Sequence, residues 1–149
     1  MNDLSNVSEV KLTYETSNKN NKKMKVNSSA IIYALMMYNW EQIEYRETFK
    51  ILLLDISKHA LGINTVSMGG LSDAQVDVRM ILQAALLANA SGIVCCHNHP
   101  SGNVKPSFAD DIMTVKISQA CKTMDIELID HLIIAPYGYY SYADEGRFE

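Results

Sequence analysis

His97-Asn98-His99-Pro100-Ser101-Gly102, running on to Pro106-Ser107-Phe108-Ala109-Asp110, is the stretch from which the rest of the chain is read. Ile93-Val94-Cys95-Cys96 leads into it as a short apolar run, the pattern of a buried strand. Residues i and i+2 of a strand share a face, with Cα atoms roughly 6.5–7 Å apart. The imidazoles of His97 and His99 can therefore converge on one ion, about 2.0–2.1 Å from each nitrogen. Pro100 and Gly102 reverse the chain, and a helix beginning near Ser107 can return the Asp110 carboxylate to the same point. Two histidines and one carboxylate leave one position of a tetrahedral zinc ion open. That is the donor set of a hydrolytic site and not of a sealed structural one.

A plainer reading of Ser107-x-x-Asp110 is a helix capping box, with serine as N-cap and an acid where the helix dipole favours negative charge. The two readings coexist, because a helix N-terminus at Ser107 positions the aspartate. The joint spacing His-x-His-Pro-x6-Ser-x2-Asp is far more restrictive than either half.

That joint pattern resembles the JAMM metallohydrolase motif of the JAB/MPN superfamily, and the His97 to Gly102 and Pro106 to Asp110 segments together resemble its RadC-like bacterial branch. Upstream, Glu47-Thr48-Phe49-Lys50-Ile51-Leu52-Leu53-Leu54-Asp55 is similar to the strand that carries the family's glutamate. Downstream, Asp130-His131-Leu132-Ile133-Ile134 and Tyr140-Ser141-Tyr142 are similar to its closing strands, so the likeness covers residues 8–147. The resemblance implies an α/β (α+β mixed) fold, a curved mixed β-sheet of JAB/MPN type flanked by helices. It implies Zn2+ held by His97, His99 and Asp110. The same likeness makes Glu47 the base and Ser107 an oxyanion donor, in hydrolysis of an amide or isopeptide bond. Glu41 and Glu44 are rival acids by composition, and Glu47 is preferred because it opens the buried strand in Glu-x-Phe. It is expected to hydrogen-bond the water, not the metal.

At 149 residues the chain has the length of one domain, enough to bury about 70% of its unfolded surface. Hydrophobic content of 48% and charged content of 20% describe an ordinary soluble globule. No apolar run approaches about 18 residues, so no membrane span is expected. Met1-Asn2-Asp3-Leu4-Ser5 lacks the basic and apolar regions of a signal peptide. Cys95, Cys96 and Cys121 make an odd set that suits a reducing compartment, so the bacterial cytoplasm is expected.

The net charge of −4 argues against a phosphate-binding face. The one basic run, Lys19-Asn20-Asn21-Lys22-Lys23-Met24-Lys25, reads as a solvated linker. Full-length RadC-like proteins join a helix-hairpin-helix module to the JAMM domain, and this chain begins at the JAMM part. Weak or no direct DNA binding is therefore expected.

Residues 1–28 read as an entering strand (Val7 to Tyr14) and a polar linker, part of the same domain as the RadC-like JAMM region of residues 29–149. Asn27 and Ser28 are candidate caps for a helix with apolar positions Ile31, Ile32, Leu35, Met36 and Tyr38. Strands are expected over Glu47 to Ile56, Leu61 to Met68, Ile93 to Cys96, Ile126 to Ala135 and Tyr139 to Tyr142. Gly69-Gly70 breaks the chain, and Ser72 or Asp73 opens a helix that closes at Ser91-Gly92. A further helix runs from Ser107 to about Met124.

Cys95 shares the face of His97 and reads first as a buried strand cysteine. His131 beside Asp130 is open between a supporting role at the site and a hydrogen-bonded sheet histidine. The letters His-Asn-His suggest an HNH nuclease, but that name describes residues scattered over a longer ββα unit. A nucleobase deaminase needs His-x-Glu with Pro-Cys-x-x-Cys, and neither is present. The function expected is a zinc-dependent peptidase or isopeptidase acting on a peptide or an isopeptide-linked protein. The alternative is a non-catalytic zinc-binding accessory protein in DNA repair or recombination, which would close the fourth metal position.

Overall fold

The computed structural model describes residues 7–16, 22–69 and 76–148. Five strands, β1 (Thr48–Leu54), β2 (Ala60–Met68), β3 (Gly92–Asn98), β4 (Glu127–Ala135) and β5 (Gly138–Ser141), make one sheet in the order β2-β1-β3-β4-β5. β3 and β4 pair in parallel, while β1 with β2, β1 with β3 and β4 with β5 pair antiparallel. Among the described residues three helices flank the sheet: α1 (Ser29–Tyr38), α2 (Val78–Leu87) and α3 (Phe108–Thr123). The mixed sheet flanked by helices agrees with the JAB/MPN architecture that the sequence resembles.

β3 is central, and all seven of its residues are buried. That is why it reads as an unbroken apolar run rather than an alternating one. Its two faces are nonetheless distinct. Ile93 and Cys95, with Phe49, Ile51 and Leu53 of β1, pack against Ile81 and Ala85 of α2 and Ile117 and Cys121 of α3. Val94 and Cys96, with Leu52 and Leu54, pack against Ile32 and Met36 of α1 together with Val26 and Trp40. Alternation along β3 thus sends odd-numbered residues toward α3 and even-numbered ones toward α1 and the loop that follows it.

Several expected boundaries move. Val7 to Tyr14 forms no strand: Val10, Leu12 and Tyr14 do alternate, but Val7, Val10 and Leu12 are exposed and the segment makes no strand pairing among the described residues, so no face of it is buried. Tyr14 is tethered by its hydroxyl to the Leu61 carbonyl at 2.7 Å. The long strand expected from Glu47 ends at Leu54, because the Asp55 carboxylate accepts the Ser57 and His59 N–H groups and turns the chain. Gly70, Ser72 and Asp73 lie outside the described residues. The helix expected from Ser72 or Asp73 begins at Val78, with Asp77 as its N-cap. Ser28 caps α1 as expected, yet Tyr38 is exposed while Ile32 and Met36 carry the burial. Among the described residues no helix is long and apolar enough to cross a membrane.

Candidate metal centre

The chain reversal after β3 brings His97, His99 and Asp110 together. His97 ends the α3-facing row of β3 and is wholly buried, while Phe49 on the paired strand stacks against its ring at 5.9 Å with an 8° interplanar angle. His99 lies just past the strand, its N–H donating to the Ile134 carbonyl at 3.2 Å. The Gly102 N–H closes a turn onto the His99 carbonyl at 2.9 Å, with Gly102 at φ +84°, a conformation that favours glycine. Ser107 caps α3 and forms the capping box with Asp110 expected from the sequence. The box aims the aspartate: its Oδ2 accepts the Ser107 N–H and hydroxyl, each at 2.7 Å.

His97 Nε2 lies 3.0 Å from His99 Nε2 and 3.1 Å from Asp110 Oδ1, and His99 Nε2 lies 3.6 Å from Asp110 Oδ2. These three side chains form a group able to hold a metal ion. Donors at tetrahedral angles and zinc-like bond lengths stand roughly 3.3–3.5 Å apart, so the observed separations bracket that spacing.

The hydrogen bonds behind the ligand atoms assign the imidazole tautomers. His99 Nδ1 faces the Asn103 carbonyl at 2.6 Å. A carbonyl only accepts, so Nδ1 carries a proton, and in the neutral ring Nε2 keeps its lone pair. His97 is set through a longer chain. The Thr114 hydroxyl donates to the Asp110 carbonyl at 2.7 Å, which leaves Thr114 Oγ1 to accept from His131 Nδ1 at 2.6 Å. Burial holds the His131 imidazole well below its ordinary range and therefore neutral. Its Nε2 then accepts, and the donor at 2.8 Å is His97 Nδ1. His97 Nε2 is left with a lone pair as well.

Two bare nitrogens and a carboxylate are thus turned toward one another. Such an acceptor cluster could hold a cation at its centre. With only protons available, hydrogen bonding to Asp110 holds the His99 imidazole above its ordinary range, with a smaller push from Glu47. Burial opposes ionisation of the Asp110 carboxylate, but the His97 and His99 imidazoles beside it outweigh burial and hold it well below the usual carboxylate range.

Glu47 is not part of the three-residue group. It directly precedes β1, and continuing the register beyond Phe49↔His97 brings it level with His99. Its action on His99 places it within electrostatic reach of the centre, whereas Glu41 and Glu44 are exposed on the preceding turn. The Ser107 hydroxyl spends its proton on Asp110 Oδ2 and also accepts the Asp110 N–H at 3.1 Å.

Other residues fall into supporting places. His131 backs His97, and Tyr142 stacks on His131 at 5.1 Å and 11°. Asp130 accepts from the His131 and Ala143 N–H groups and from the Ser141 hydroxyl, so it pins the closing turn instead of facing the centre. Cys95 is a core residue whose thiol is pushed far up by burial. Thr114, Asn103 and Asn98 carry roles that sequence reasoning did not assign. For Thr114 a signal exists, since it lies four residues after Asp110 and so on the same helix face. A hollow of about 650 Å³ lined by Tyr14, Lys23, Leu61 and Ala88 includes none of these residues.

A Flavobacterium johnsoniae protein named UPF0758 protein is 38% identical over 127 residues, covering 85% of this chain and 55% of that protein. A Thermotoga maritima protein of the same name is 35% identical over 124 residues, covering 83% of this chain and 54% of that one. The chain spans about half the length of the curated relatives it matches. The family model described as RadC-like JAB domain matches residues 26–147, a span that holds every strand and helix among the described residues and the whole His97–His99–Asp110 group. The chain belongs to the RadC-like JAB domain family.

Proposed function

We propose that the chain is a zinc-dependent hydrolase of amide or isopeptide bonds, with His97, His99 and Asp110 as ligands and Glu47 and Ser107 acting on the substrate side. The observation that carries this reading is the meeting of two lone-pair nitrogens and a carboxylate at 3.0–3.6 Å. Nitrogen-rich donors suit zinc better than magnesium or calcium, which favour oxygen. Bound there, the ion would supply Lewis acidity, which polarises a carbonyl and acidifies water. The His99 side chain is 18% exposed while that of His97 is fully covered, so the centre is reached from the His99 side, where Glu47 stands.

Glu47 would take the proton of the attacking water on its carboxylate and return it to the leaving nitrogen. Ser107 would donate to the developing oxyanion. To do so, its hydroxyl must rotate away from Asp110 Oδ2, where its proton now rests. The cap survives that rotation through the Ser107 N–H, which also donates to Asp110.

The test is hydrolysis of peptide and isopeptide-linked substrates by zinc-loaded protein, with Glu47→Gln alongside. The variant is expected to keep its zinc and lose roughly 10²–10⁴ in rate. Loss of the metal would make Glu47 a ligand, and undiminished turnover would remove it from the reaction. Failure of the wild type to bind zinc at all would end the reading.

A further inference from the structure

We infer that Asn98, the residue between the two histidines, is a positioning residue that holds Glu47 in register with the metal centre; the inference rests on the role proposed above for Glu47. Alternation sends the Asn98 side chain to the opposite face of β3 from His97, toward the loop that follows α1. There it is completely buried. Its amide makes three hydrogen bonds, all to the backbone of the segment that delivers Glu47. Nδ2 donates to the Ile43 carbonyl at 2.6 Å and to the Arg46 carbonyl at 2.9 Å, while Oδ1 accepts the Thr48 N–H at 2.7 Å.

The pattern of donors identifies the side chain that the place requires. Two carbonyls and one N–H converge, and a primary amide offers the complementary two donors and one acceptor. Aspartate lacks the donors, and a hydroxyl has only one. The amide grips Arg46 and Thr48, the two residues flanking Glu47, so a shift of the loop cannot occur without breaking its bonds. On the other side the Glu47 carbonyl accepts from the Gly69 N–H at 2.8 Å. The strand that places His97 on one face therefore places Glu47 from the other.

The decisive measurements are amide exchange, zinc content and steady-state kinetics on wild type, Asn98→Ala, Asn98→Asp and the double variant Asn98→Ala with Glu47→Gln. In the wild type the Thr48 amide should exchange as slowly as amides inside β1. Asn98→Ala should speed that exchange at least about tenfold while keeping one zinc per chain. Its kcat should drop about 10²-fold with little change in KM, as expected when a reacting group is displaced by the order of 1 Å. Asn98→Asp, close in shape, should also lose kcat, because it cannot donate to Ile43 and Arg46. If Asn98 acts through Glu47, the double variant should be scarcely slower than Glu47→Gln alone.

A fast-exchanging Thr48 amide in the wild type overturns the inference, and that result needs no variant to fold. So does a folded Asn98→Ala protein with unchanged kcat, or one that loses its zinc. Multiplicative losses in the double variant would mean that Asn98 works independently of Glu47. If Glu47→Gln proves fully active, the proposed base fails, while the exchange data still decide whether Asn98 holds the loop.

Discussion

The two sides of the metal centre are built from different materials. His97 and Asp110 come from the end of a buried central strand and the first turn of a 16-residue helix. Each potential ligand is braced from behind: His97 by His131 and Thr114, His99 by the Asn103 carbonyl, Asp110 by Ser107. Glu47 comes instead from the end of a loop whose Glu41, Glu44, Tyr45 and Arg46 are exposed. Its backbone is held through the Asn98 amide on the flanking Arg46 and Thr48 and by the Gly69 N–H just past β2. The ligand side is rigid before any ion arrives, as a metal site requires. The glutamate side is a turn pinned at both ends, which the proton-carrying role proposed for Glu47 would tolerate better than a ligand's role would.

The largest expected effect breaks the rigid side alone. Asp110→Ala should reduce zinc from about one per chain to background, whereas changes at Glu47 should leave metal content untouched. Asp110→Asn is the control, because an amide oxygen can still accept from Ser107 and preserve much of the cap. If Asp110→Ala keeps its zinc, the division of the centre into a ligand side and a proton side is wrong.

A smaller effect sharpens the comparison by weakening a brace without touching a ligand. Thr114→Val removes the acceptor for His131 Nδ1–H, and with it the chain that leaves the His97 Nε2 lone pair free. Zinc affinity should fall roughly 10–100-fold, the usual range for groups that orient a metal ligand. Thr114→Ser should recover most of it, since the hydroxyl can bridge Asp110 and His131 in the same way. Nitrogen-15 shifts of the imidazoles in metal-free protein give an independent check. His97 should be protonated at Nδ1 in wild type and mixed in Thr114→Val, and an unchanged tautomer would remove Thr114 from the chain.

This difference between the sides also governs how much the sequence reveals. His97, His99 and Asp110 are legible because regular periodicities place them: alternation along a strand, and an acid at the third position of a capped helix. The unbroken apolar run of β3 likewise marks the central strand. Glu47 is legible only by resemblance, since its place depends on the register between β1 and β3, which local pattern does not encode. Thr114 and His131 are remote in the chain, and their meeting is set by the packing of α3 on the sheet, while Asn103 reaches His99 through a loop conformation that the letters do not specify. Val7 to Tyr14 misleads because alternation at Val10, Leu12 and Tyr14 makes a strand only where a neighbouring strand pairs with it and buries one face, and here neither happens. Asn98 stood in the motif without a role because the loop it grips can be located only in three dimensions.

Ser107 joins structure and proposed chemistry on the rigid side, and its removal should cost less than either change above. Ser107→Ala loses the cap acceptor and should destabilise the protein by about 0.5–2 kcal/mol, measured by denaturant unfolding. Any loss of turnover beyond the loss of folded protein would report the oxyanion role. Aspartate is in general an equally good cap, but here the 2.7 Å contact from Ser107 Oγ to Asp110 Oδ2 would place two carboxylates together. Ser107→Asp should therefore be less stable than Ser107→Ala in metal-free protein, with zinc closing part of the gap. Equal stabilities would mean that the 107 side chain can turn away from Asp110 at no cost.

The smallest expected effect is the pH dependence of the metal-free protein. The folded-state pKa of His99 is raised, chiefly by hydrogen bonding to Asp110. Its contribution to stability is then complete below the unfolded value of about 6.5 and is lost as pH climbs through the raised folded value. Asp110 is depressed in the fold, so its contribution is present above about 3.9 and fades only on further acidification. Metal-free protein should accordingly lose thermal stability as pH rises above about 6.5. Zinc reverses the sign, because the ion binds the neutral imidazole and competes with the proton. The zinc-loaded midpoint should hold or rise over the same interval while the metal-free midpoint falls. Parallel curves for the two forms would show that the ion and the proton do not share the His99 nitrogen, and the rigid side would lose its claim to be the ligand side.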